Sequence, residues 1–424
     1  MESEQCDWSF RPLGDLVENF DFLRVPVKES DRRPGPYPYY GASGIVDHVE
    51  DYIFDGEYLL IAEDGENLRT RNTPIAFMAS GRFWVNNHAH IVRGNGDAIT
   101  RYLSYALTVA DVRAYLTGST MPKLTQASLN RIPVIAPPLP HQKAIAHILG
   151  TLDDKIELNR RMNQTLEEMA RALFKSWFVD FDPVRAKSEG RDPVGMDGET
   201  ASLFPDGFED SELGPIPRGW TVTALSTVVE LFSGGTPKRA IEEYWGGDVL
   251  WFSVKDAPLP SDVFVIQTDE QITERGVDDS AAKVLPVGAT IVTARGTVGK
   301  LALVGAPMAM NQSCYGVRSR HTGLDYFNYF RLQRAVYELQ RRSHGSVFDT
   351  ITRSTFDSVK IVEPPIATGR SFDIGVRQLL HQIKLNLFQN STLTALRDAL
   401  LPKLLSGELR IDDPERFLEE AALT

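Results

Sequence analysis

The residue types that usually carry catalysis are present, but they do not stand in a catalytic pattern. The sequence has no GxGxxG after a strand, no GxxxxGK[ST] phosphate loop and no HExxH pair of zinc-binding histidines. Two tetrads, Ala136-Pro-Pro-Leu139 and Glu363-Pro-Pro-Ile366, lack the leading Asn or Asp of the Pro-Pro tetrad in enzymes that methylate amino groups of DNA. We therefore predict no catalytic residue in this chain and interpret both tetrads as turns that end a domain.

Weaker clusters also favour structural roles. Backbone N–H groups of Ser233-Gly-Gly-Thr-Pro-Lys238 could cradle a phosphate, but no strand and helix frame this segment as a nucleotide site. Asp180, Asp182 and Lys187 loosely resemble the acid-lysine set of some nucleases, yet the nearby prolines are more typical of a linker.

Histidine and cysteine give no metal site. His88 and His90 share one side of a strand and could contact a ligand, although a solvated or core histidine is the commoner case. The only cysteines, Cys6 and Cys314, form no CxxC motif, which excludes a cysteine zinc cluster and a disulfide framework and is typical of a reducing cytoplasm.

Length and composition indicate an ordinary globular protein. The 424 residues suffice for two to four domains, and 42% hydrophobic with 24% charged residues is not the composition of a disordered chain. No apolar run approaches the length of a membrane helix. Residues 1–10 are acidic and polar, so we expect no secretory signal.

The charge is unevenly distributed along the chain. The net charge of −12 is unusual for a simple nucleic-acid binder. However, residues 68–131 contain eight basic and two acidic residues, and residues 280–353 contain ten basic and three acidic ones. Each positive stretch could face a polyanion, and ordinary solvated surfaces are the alternative.

The chain contains an internal repeat. Residues 8–17 match residues 220–229 without a gap, and the Gly-Ser, Thr and Pro-Pro positions of residues 118–138 recur in residues 345–365. Asn86 and Asn311 each precede a Val-Arg pair by six residues. Because the matches keep their order over more than 100 residues, we predict two copies of one domain.

Each copy is followed by a stretch with coiled-coil spacing. From about His141 to Phe178 apolar residues recur at alternating steps of three and four, and a similar series runs from about Phe372 to Leu401. Pro402 stands where the second helix should end or kink. The seam residues are Ile145, Leu149, Leu152, Ile156, Asn159, Val376, Leu380, Ile383, Leu387 and Asn390.

These two helices are predicted to pair with each other. The seam is long and narrow, which favours an antiparallel coiled coil within the chain, with Asn159 and Asn390 fixing its register. Separate packing of each helix on its own domain is the alternative.

The predicted fold class is α+β, with two similar mixed domains joined by the two long helices in a pseudo-twofold arrangement. Short β-branched runs such as Tyr58–Ala62 and Leu301–Val304 alternate with turns, and a helix follows in each copy at Thr100–Tyr115 and Tyr326–Arg341. The expected segments are a first domain (1–140), a first long helix (141–182), a connector (183–217), a second domain (218–365), a second long helix (366–409) and a tail (410–424).

Several motifs along the chain resemble conserved regions of the specificity subunits of type I restriction–modification systems. Residues 141–145 and 152–159 are similar to that family's central conserved region, and residues 400–409 are similar to its C-terminal conserved region. Residues 233–238, 244–256 and 295–300 look like parts of its target recognition domain. The first copy departs from this pattern, with Glu63-Asp64-Gly65 where the second has Ala294-Arg295-Gly296.

The resemblance implies a non-catalytic, cytoplasmic subunit that binds double-stranded DNA in phage defence. Each recognition domain would grip one half of an asymmetric site, and the helices would set the spacer between the halves. Two modification subunits would dock on the chain and methylate adenine with S-adenosylmethionine, and restriction subunits would add an ATP-dependent and Mg-dependent nuclease. No cofactor or metal is expected on this chain.

Candidate DNA contacts are polar residues in loops and in the positive stretches, because forked donors and acceptors read bases and cations contact phosphates. In the second copy they are Lys238, Lys255, Arg295, Thr297, Lys300, Asn311 and Gln312. In the first copy they are Tyr39, Ser43, Arg82, Asn86, Asn87, His88 and Lys123. A surface or capping role is the alternative for each of them, and Asn86 and Asn311 are also plausible turn residues.

Two other classes of function compete with this interpretation. A two-lobed DNA methyltransferase or nuclease would need the missing tetrad and cofactor loop, and a cofactor titration of the isolated chain would test it. A coiled-coil scaffold without a DNA role conflicts with the basic stretches, and it would be favoured if DNA affinity were absent even with a modification partner.

One substitution tests a phosphate contact. We predict that Lys300→Ala weakens binding to specific and non-specific DNA alike, because a lysine that contacts phosphate carries no base preference. The measurement is a titration of both kinds of DNA with the wild type and the variant. A change in preference for a single base would instead make Lys300 a base reader.

Overall fold

The computed structural model describes residues 8–342 and 350–422. The chain divides into two compact units, one of residues 1–155 with 392–424 and the other of residues 156–391. Gly345, Ser346 and Cys6 lie outside the described residues. Within the described residues, every helix is too short or too polar to cross a membrane.

Within the described residues the first copy contains ten strands and three short α-helices. The strands are β1 (Ser9–Pro12), β2 (Val17–Asn19), β3 (Pro34–Gly41), β4 (Gly44–Val49), β5 (Phe54–Asp55), β6 (Tyr58–Ala62), β7 (Ala76–Ala79), β8 (Arg82–Val85), β9 (Ala89–Gly94) and β10 (Pro133–Ala136). The helices are α1 (Asn67–Thr70), α2 (Thr100–Val109) and α3 (Gln126–Leu129). The sheets have the strand orders β2-β9-β6-β7, β4-β3-β8-β5 and β1-β10.

A long helix and a connector lead to the second copy. They comprise α4 (Leu139–Phe178), α5 (Asp182–Ser188), α6 (Gly198–Ser202), β11 (Phe208–Glu209) and β12 (Ile216–Pro217).

The second copy and the end of the chain contain ten strands and six helices within the described residues. The strands are β13 (Thr221–Ala224), β14 (Val229–Ser233), β15 (Trp245–Phe252), β16 (Phe264–Val265), β17 (Glu270–Ile272), β18 (Thr290–Thr293), β19 (Leu301–Val304), β20 (Met308–Met310), β21 (Cys314–Ser319) and β22 (Lys360–Glu363). The helices are α7 (Leu225–Val228), α8 (Glu274–Asp278), α9 (Asp325–Arg342), α10 (Arg353–Ser358), α11 (Ile366–Ser406) and α12 (Pro414–Ala421).

The two copies share one topology. The sheet β14-β21-β18-β19-β16 repeats the order β2-β9-β6-β7 with one added strand, and β17-β15-β20 repeats β4-β3-β8. Strands β3 and β15 each run antiparallel to one neighbour and parallel to the other. The predicted duplication and the α+β class are confirmed.

The sequence repeat and the strand register agree. Phe10 opposes Ile135 in the pair β1-β10, and Val222 opposes Val362 in the pair β13-β22. Phe10 and Val222 are equivalent in the match between the two domain starts, and Ile135 and Val362 are equivalent in the match between the two domain ends. A slip of one residue would turn each buried side chain to the opposite face, so the shared register preserves the core of both copies.

Central strands are apolar because both of their faces are covered. In β6 the last four residues are buried, and all four residues of β18 are buried. Accordingly β6 contains the continuous apolar run Leu59–Ala62, and β18 places Ile291 and Val292 between two buried threonines. The predicted strand ranges Tyr58–Ala62 and Leu301–Val304 coincide with β6 and β19.

Helix α4 and helix α11 pack together in each unit. In the first unit Ile145 and Leu149 belong to one buried cluster with Leu401, Leu404 and Leu405 of α11. Burial of this apolar surface is the main favourable contribution to such a helix pair. The predicted pairing of the two long helices is therefore confirmed.

In the second unit the cluster is aromatic. It joins α4 residues Ala170, Phe174 and Trp177 to α11 residues Phe372 and Val376. Aromatic side chains bury large areas and pack edge to face, as Phe174 and Phe372 do with ring centroids 5.6 Å apart.

Asparagines lie within the helix pair of the second unit. The amide of Asn159 donates to Gln389 Oε1 and to Asn390 Oδ1, both at 2.8 Å. One turn further along α4, Asn163 accepts a 2.8 Å hydrogen bond from Asn386 Nδ2. Because the partner number falls as the α4 number rises, the helices are antiparallel here, with Asn159 opposite Asn390 as predicted.

Two long-helix side chains hold the shorter helix of each domain. Gln142 Oε1 accepts from the backbone N–H of Ile99 at 3.0 Å, just before α2 begins. At the corresponding place in α11, Asp373 accepts from the N–H groups of Tyr326 and Phe327 at 3.1 and 2.7 Å. Both satisfy donors at a helix N-terminus that have no partner inside the helix.

The second long helix runs past its proline. It begins at Ile366, where the expected segment 366–409 begins, and it continues through Pro402 to Ser406, so the expected end at the proline was wrong. Leu404 and Leu405 are buried, and this packing holds the last turn in helical form despite the missing N–H.

The connector is more ordered than its composition suggests. Phe181, Val184 and Phe204 join the aromatic cluster, and the connector contains the short helices α5 and α6. The tail contains the short helix α12.

The buried asparagines give a matched pair of substitutions. Asn163→Leu should lower the free energy of unfolding by about 1–3 kcal/mol, because it leaves the buried amide of Asn386 without its acceptor. Asn159→Leu should be nearly neutral, because Gln389 is exposed, Asn390 is half-buried, and the Oδ1 atom of Asn159 has no partner among the described residues. Urea unfolding measures both changes, and equal losses would contradict this account.

Candidate nucleic-acid interface

Three loops of the second copy meet beside the end of strand β20. The N–H of Gly235 donates to the carbonyl of Met310 at 2.9 Å, and the N–H of Asn311 donates to Phe252 at 2.8 Å. A Cβ atom at Gly234 would lie 1.8 Å from the carbonyl oxygen of Asn311, so only glycine permits this approach. The Gly-rich segment, the segment after β15 and residues 311–312 are thereby brought together.

A fourth loop joins them from the other sheet. The N–H of Ala294 donates to the carbonyl of Ser313 at 2.8 Å, so the loop between β18 and β19 lies next to residues 311–313. The hydroxyl of Thr293 ties this loop by bonding the carbonyl of Thr297 and accepting from the N–H of Lys300. Candidates from four separate stretches of sequence therefore occupy neighbouring loops.

Most second-copy candidates are exposed. They are Lys238, Lys255, Arg295, Thr297, Lys300 and Gln312. Their four cationic side chains form no ion pair with other described residues. An exposed cation that is not bound to a carboxylate is available to a polyanion.

The asparagines at the ends of β8 and β20 are turn residues. The side-chain oxygen of Asn86 accepts from the N–H of His88 at 2.8 Å, and that of Asn311 accepts from the N–H of Ser313 at 3.0 Å. Gln312 uses its oxygen similarly and accepts from the hydroxyl of Thr236. Asn86 and Asn311 therefore act as turn residues, which was the alternative role considered from the sequence. Their side-chain NH₂ groups are left as the atoms for any DNA contact.

Tyr39 is not on the surface. Only 1% of it is exposed, and its hydroxyl accepts from the N–H of Val27 at 3.0 Å. The guanidinium of Arg32 lies 4.5 Å from the centre of its ring. This placement argues against a direct DNA contact and gives Tyr39 a role in holding the loop before β3.

The cationic candidates of the first copy are paired. The Nζ atom of Lys123 lies 3.1 Å from Glu63 Oε1, and Arg82 lies 3.3 Å from Asp55. These pairs weaken the positive potential that the sequence suggested for this copy. Ser43 in the β3-β4 turn and Asn87 after β8 are exposed, and their contact role stays a prediction.

Several arginines of the positive stretches serve the fold. Arg331 is buried and donates to Glu363 at 2.6 Å, and Arg71 donates to the carbonyls of Leu107 and Ala110. The net charge of a stretch therefore overestimated the positive surface that it provides.

The first copy has a buried charge network beside its candidate loops. His90 is 1% exposed, and its ring nitrogens lie 2.5 Å from Asp21 and 2.7 Å from the carbonyl of Leu124. Glu63 bonds Arg24 at 2.6 Å as well as Lys123. His90 is thus the core histidine that the sequence favoured over a ligand-binding one.

This network lowers the pKa of two carboxyl groups. Burial alone would raise the pKa of Glu63, but the hydrogen bonds from Arg24 and Lys123 outweigh it and lower the pKa. For Asp21 burial is likewise opposed by the hydrogen bond and charge of His90, by the N–H of Ile91 and by Arg24, so its pKa is lowered too.

Two residues beside the candidate loops were absent from the sequence-based set. Asp64 lies 2.7 Å from Nδ1 of His88, and its only signal was the exchange of Asp64 for Arg295 between the copies. Arg353 donates to the hydroxyl of Ser233 at 3.2 Å, next to the Gly-rich segment, and its only signal was its position in the second positive stretch.

The weak nuclease-like cluster has structural partners. Lys187 donates to the carbonyl of Phe204 at 2.5 Å, Asp182 accepts from Ser176 at 2.7 Å, and Asp180 pairs with Lys175. Among the described residues no group of three or more His, Cys, Asp or Glu side chains could hold a metal ion.

The chain is similar to type I restriction specificity proteins. The family model described as type I restriction modification DNA specificity domain matches residues 5–168 and 217–386. The chain is 28% identical to the type I restriction enzyme HindI specificity subunit of Haemophilus influenzae, over 94% of each chain. It is 26% identical to the MjaIX specificity subunit of Methanocaldococcus jannaschii, over 96% of this chain and 94% of the other.

A solved structure has the same fold. The S subunit of a type I restriction–modification system from M. genitalium matches with a TM-score of 0.59 at 14% identity, over 96% of this chain and 98% of the other.

The charge network predicts acid sensitivity. Carboxylates with a lowered pKa stabilise the fold above their usual pKa, and this contribution is lost as the pH falls from the usual pKa through the lowered one. Glu63→Gln should lower the free energy of unfolding at pH 7 by about 1–3 kcal/mol and flatten its decline below pH 5. Urea unfolding at several pH values measures this, with Glu50→Gln in an exposed pair as the control. Equal slopes for both variants would contradict the assignment.

Proposed function

The chain belongs to the family of type I restriction–modification specificity subunits, and we propose that it reads a two-part double-stranded DNA site with one recognition domain for each half. The two domains share one backbone frame but carry different side chains on equivalent loops, and this observation carries the proposal. The loop after β6 and the loop after β18 make the same backbone bonds, yet one presents Asp64 and the other Arg295. Two such domains would read different half-sites.

The candidate contacts divide by chemistry. Lys238, Lys255 and Lys300 are exposed cations without acidic partners among the described residues, and we assign them to phosphates. Phosphate contacts position a protein and make its affinity depend on salt. In the first copy Arg82, Lys123 and Ser43 would contact phosphates. Arg82 and Lys123 would then have to break their ion pairs with Asp55 and Glu63.

Forked side chains are assigned to bases. Asn87 can offer both its side-chain oxygen and its NH₂ group and suits adenine, Arg295 suits guanine, and Asn86, Asn311 and Gln312 are assigned to base acceptors. His88 and Thr297 are assigned as further polar contacts beside them. Because the oxygens of Asn86, Asn311 and Gln312 are engaged in the loops, their NH₂ groups would approach DNA.

The long helices are proposed to set the spacer between the half-sites and to dock the modification subunits. A helix of 40 residues such as α4 is about 60 Å long. In the second unit α4 exposes Leu158, Met162 and Met169, and α11 exposes Ile374 and Leu385. Residues four or seven apart on a helix share a face, so the α4 residues form an apolar stripe of the kind that marks protein interfaces.

The chemistry is assigned to partner subunits. We infer that this chain has no catalytic activity, that two modification subunits bring S-adenosylmethionine for N6-adenine methylation, and that restriction subunits bring ATP and Mg. Their complex would act in the cytoplasm in defence against phage. Under this proposal the isolated chain does not methylate or cleave DNA.

A methylation map tests the function directly. The chain is co-expressed with the methyltransferase subunit encoded beside it, and N6-methyladenine is mapped across the host genome. We expect a new asymmetric motif of two parts with a fixed gap, which is absent when either protein is expressed alone. If both proteins are soluble and associated but no motif appears, the DNA-reading function is refuted and the scaffold alternative is favoured.

A further inference from the structure

Asp64 and Arg295 occupy the same position in the two domains. The residue before Asp64 donates its N–H to the carbonyl of His88 at 2.9 Å, and its carbonyl accepts from Leu124 at 2.7 Å. The residue before Arg295 donates to Ser313 at 2.8 Å and accepts from Ile351 at 3.0 Å.

The partners of these bonds are themselves equivalent. His88 and Ser313 each stand two residues after the asparagine that is shared by both copies. Leu124 and Ile351 each stand just before the shared threonine that precedes a short helix, α3 or α10. The equivalence of the two loops therefore does not depend on a sequence match within the loops.

The two side chains differ in charge and in surroundings. Arg295 is exposed and forms no ion pair with another described residue. Asp64 keeps 22% of its side chain exposed, and its Oδ2 atom lies 2.7 Å from Nδ1 of His88. The imidazole therefore fixes one carboxylate oxygen and leaves Oδ1 as the oxygen available to a ligand.

A carboxylate here would accept hydrogen bonds from base amino groups, because phosphates would repel it. Of the two amino groups in the major groove, N6 of adenine lies beside the acceptor N7, which would face the carboxylate, whereas N4 of cytosine is the donor that Asp and Glu pair with. Arginine at the same position is suited to O6 and N7 of guanine. A C·G pair thus satisfies both copies, read from its cytosine by the first and from its guanine by the second.

We propose that Asp64 and Arg295 are paired specificity residues, with Asp64 reading a cytosine in the first half-site and Arg295 a guanine in the second. This inference rests on the proposed function, because it assumes that these loops face DNA. It deepens that function by naming one base pair in each half and the side chain that selects it.

The test uses the full chain co-expressed with the methyltransferase subunit, with the methylated motif as the readout. The wild-type motif should contain a C·G pair in each half. Asp64→Asn introduces an amide, which suits adenine, so cytosine preference at one first-half position should fall about fivefold or more while the second half is unchanged. Arg295→Gln should relax a guanine in the second half only.

Controls separate reading from folding and charge. Asp111→Asn and Arg320→Gln change exposed side chains of the same domains, and both should leave the motif unchanged. Asp64→Ser is made beside Asp64→Asn, and association with the methyltransferase subunit verifies the fold of each variant. His88→Asn removes the partner of Asp64, and we expect it to weaken methylation while retaining the cytosine.

Several outcomes would overturn the inference. An unchanged motif in a folded Asp64 variant, a first half without a C·G pair, or a uniform loss of methylation without a change in base preference would each do so. If His88→Asn removed the cytosine preference as completely as Asp64→Asn, His88 would be the reader and Asp64 its support. Failure of the proposed function is distinguishable, since the wild-type chain would then give no motif.

Discussion

When two copies of one helix pair antiparallel, the register decides which position meets its own equivalent, and in this chain that position is Asn159. Its amide bonds Asn390, which holds the same place in the second copy of the helix. The neighbouring bond between Asn163 and Asn386 extends the polar contact by one turn. A shift of the helices along each other would bury these amides without partners, so a few hydrogen bonds select one register from many of similar apolar burial.

A single side chain on each long helix also bonds that helix to a recognition domain. Gln142 and Asp373 differ in chemistry but are equivalent positions of the repeated helix, and each accepts the N–H groups where a shorter helix begins. Burial raises the pKa of Asp373 to about 7, while Gln142 has no charge to lose. The position is thus retained for its geometry, and the two domains hold their helices by bonds of different pH dependence.

The amino-acid sequence predicts the features that depend on periodicity and on the order of residues. The matches at the start and at the end of each domain align Phe10 with Val222 and Ile135 with Val362, which are the residues that the two strand pairs bring together. The sequence could not predict which polar residues form hydrogen bonds or ion pairs inside the fold.

Tyr39 is a loop support and Lys123 is bound to Glu63, and both depend on contacts between distant segments that leave no periodic signal. Helix α11 passes through Pro402 because tertiary packing outweighs local propensity.

The strand that opens each domain lies beside the strand that closes it. Ser9 opposes Ala136 and Thr221 opposes Glu363, so the chain comes into a domain and leaves it at adjacent points. A segment with such neighbouring ends behaves as a cassette, because another segment of the same fold can replace it without moving what precedes or follows. Recombination between genes at the short β1 and β10 sequences would therefore exchange a whole reading module in a single event and leave the helical seam unchanged.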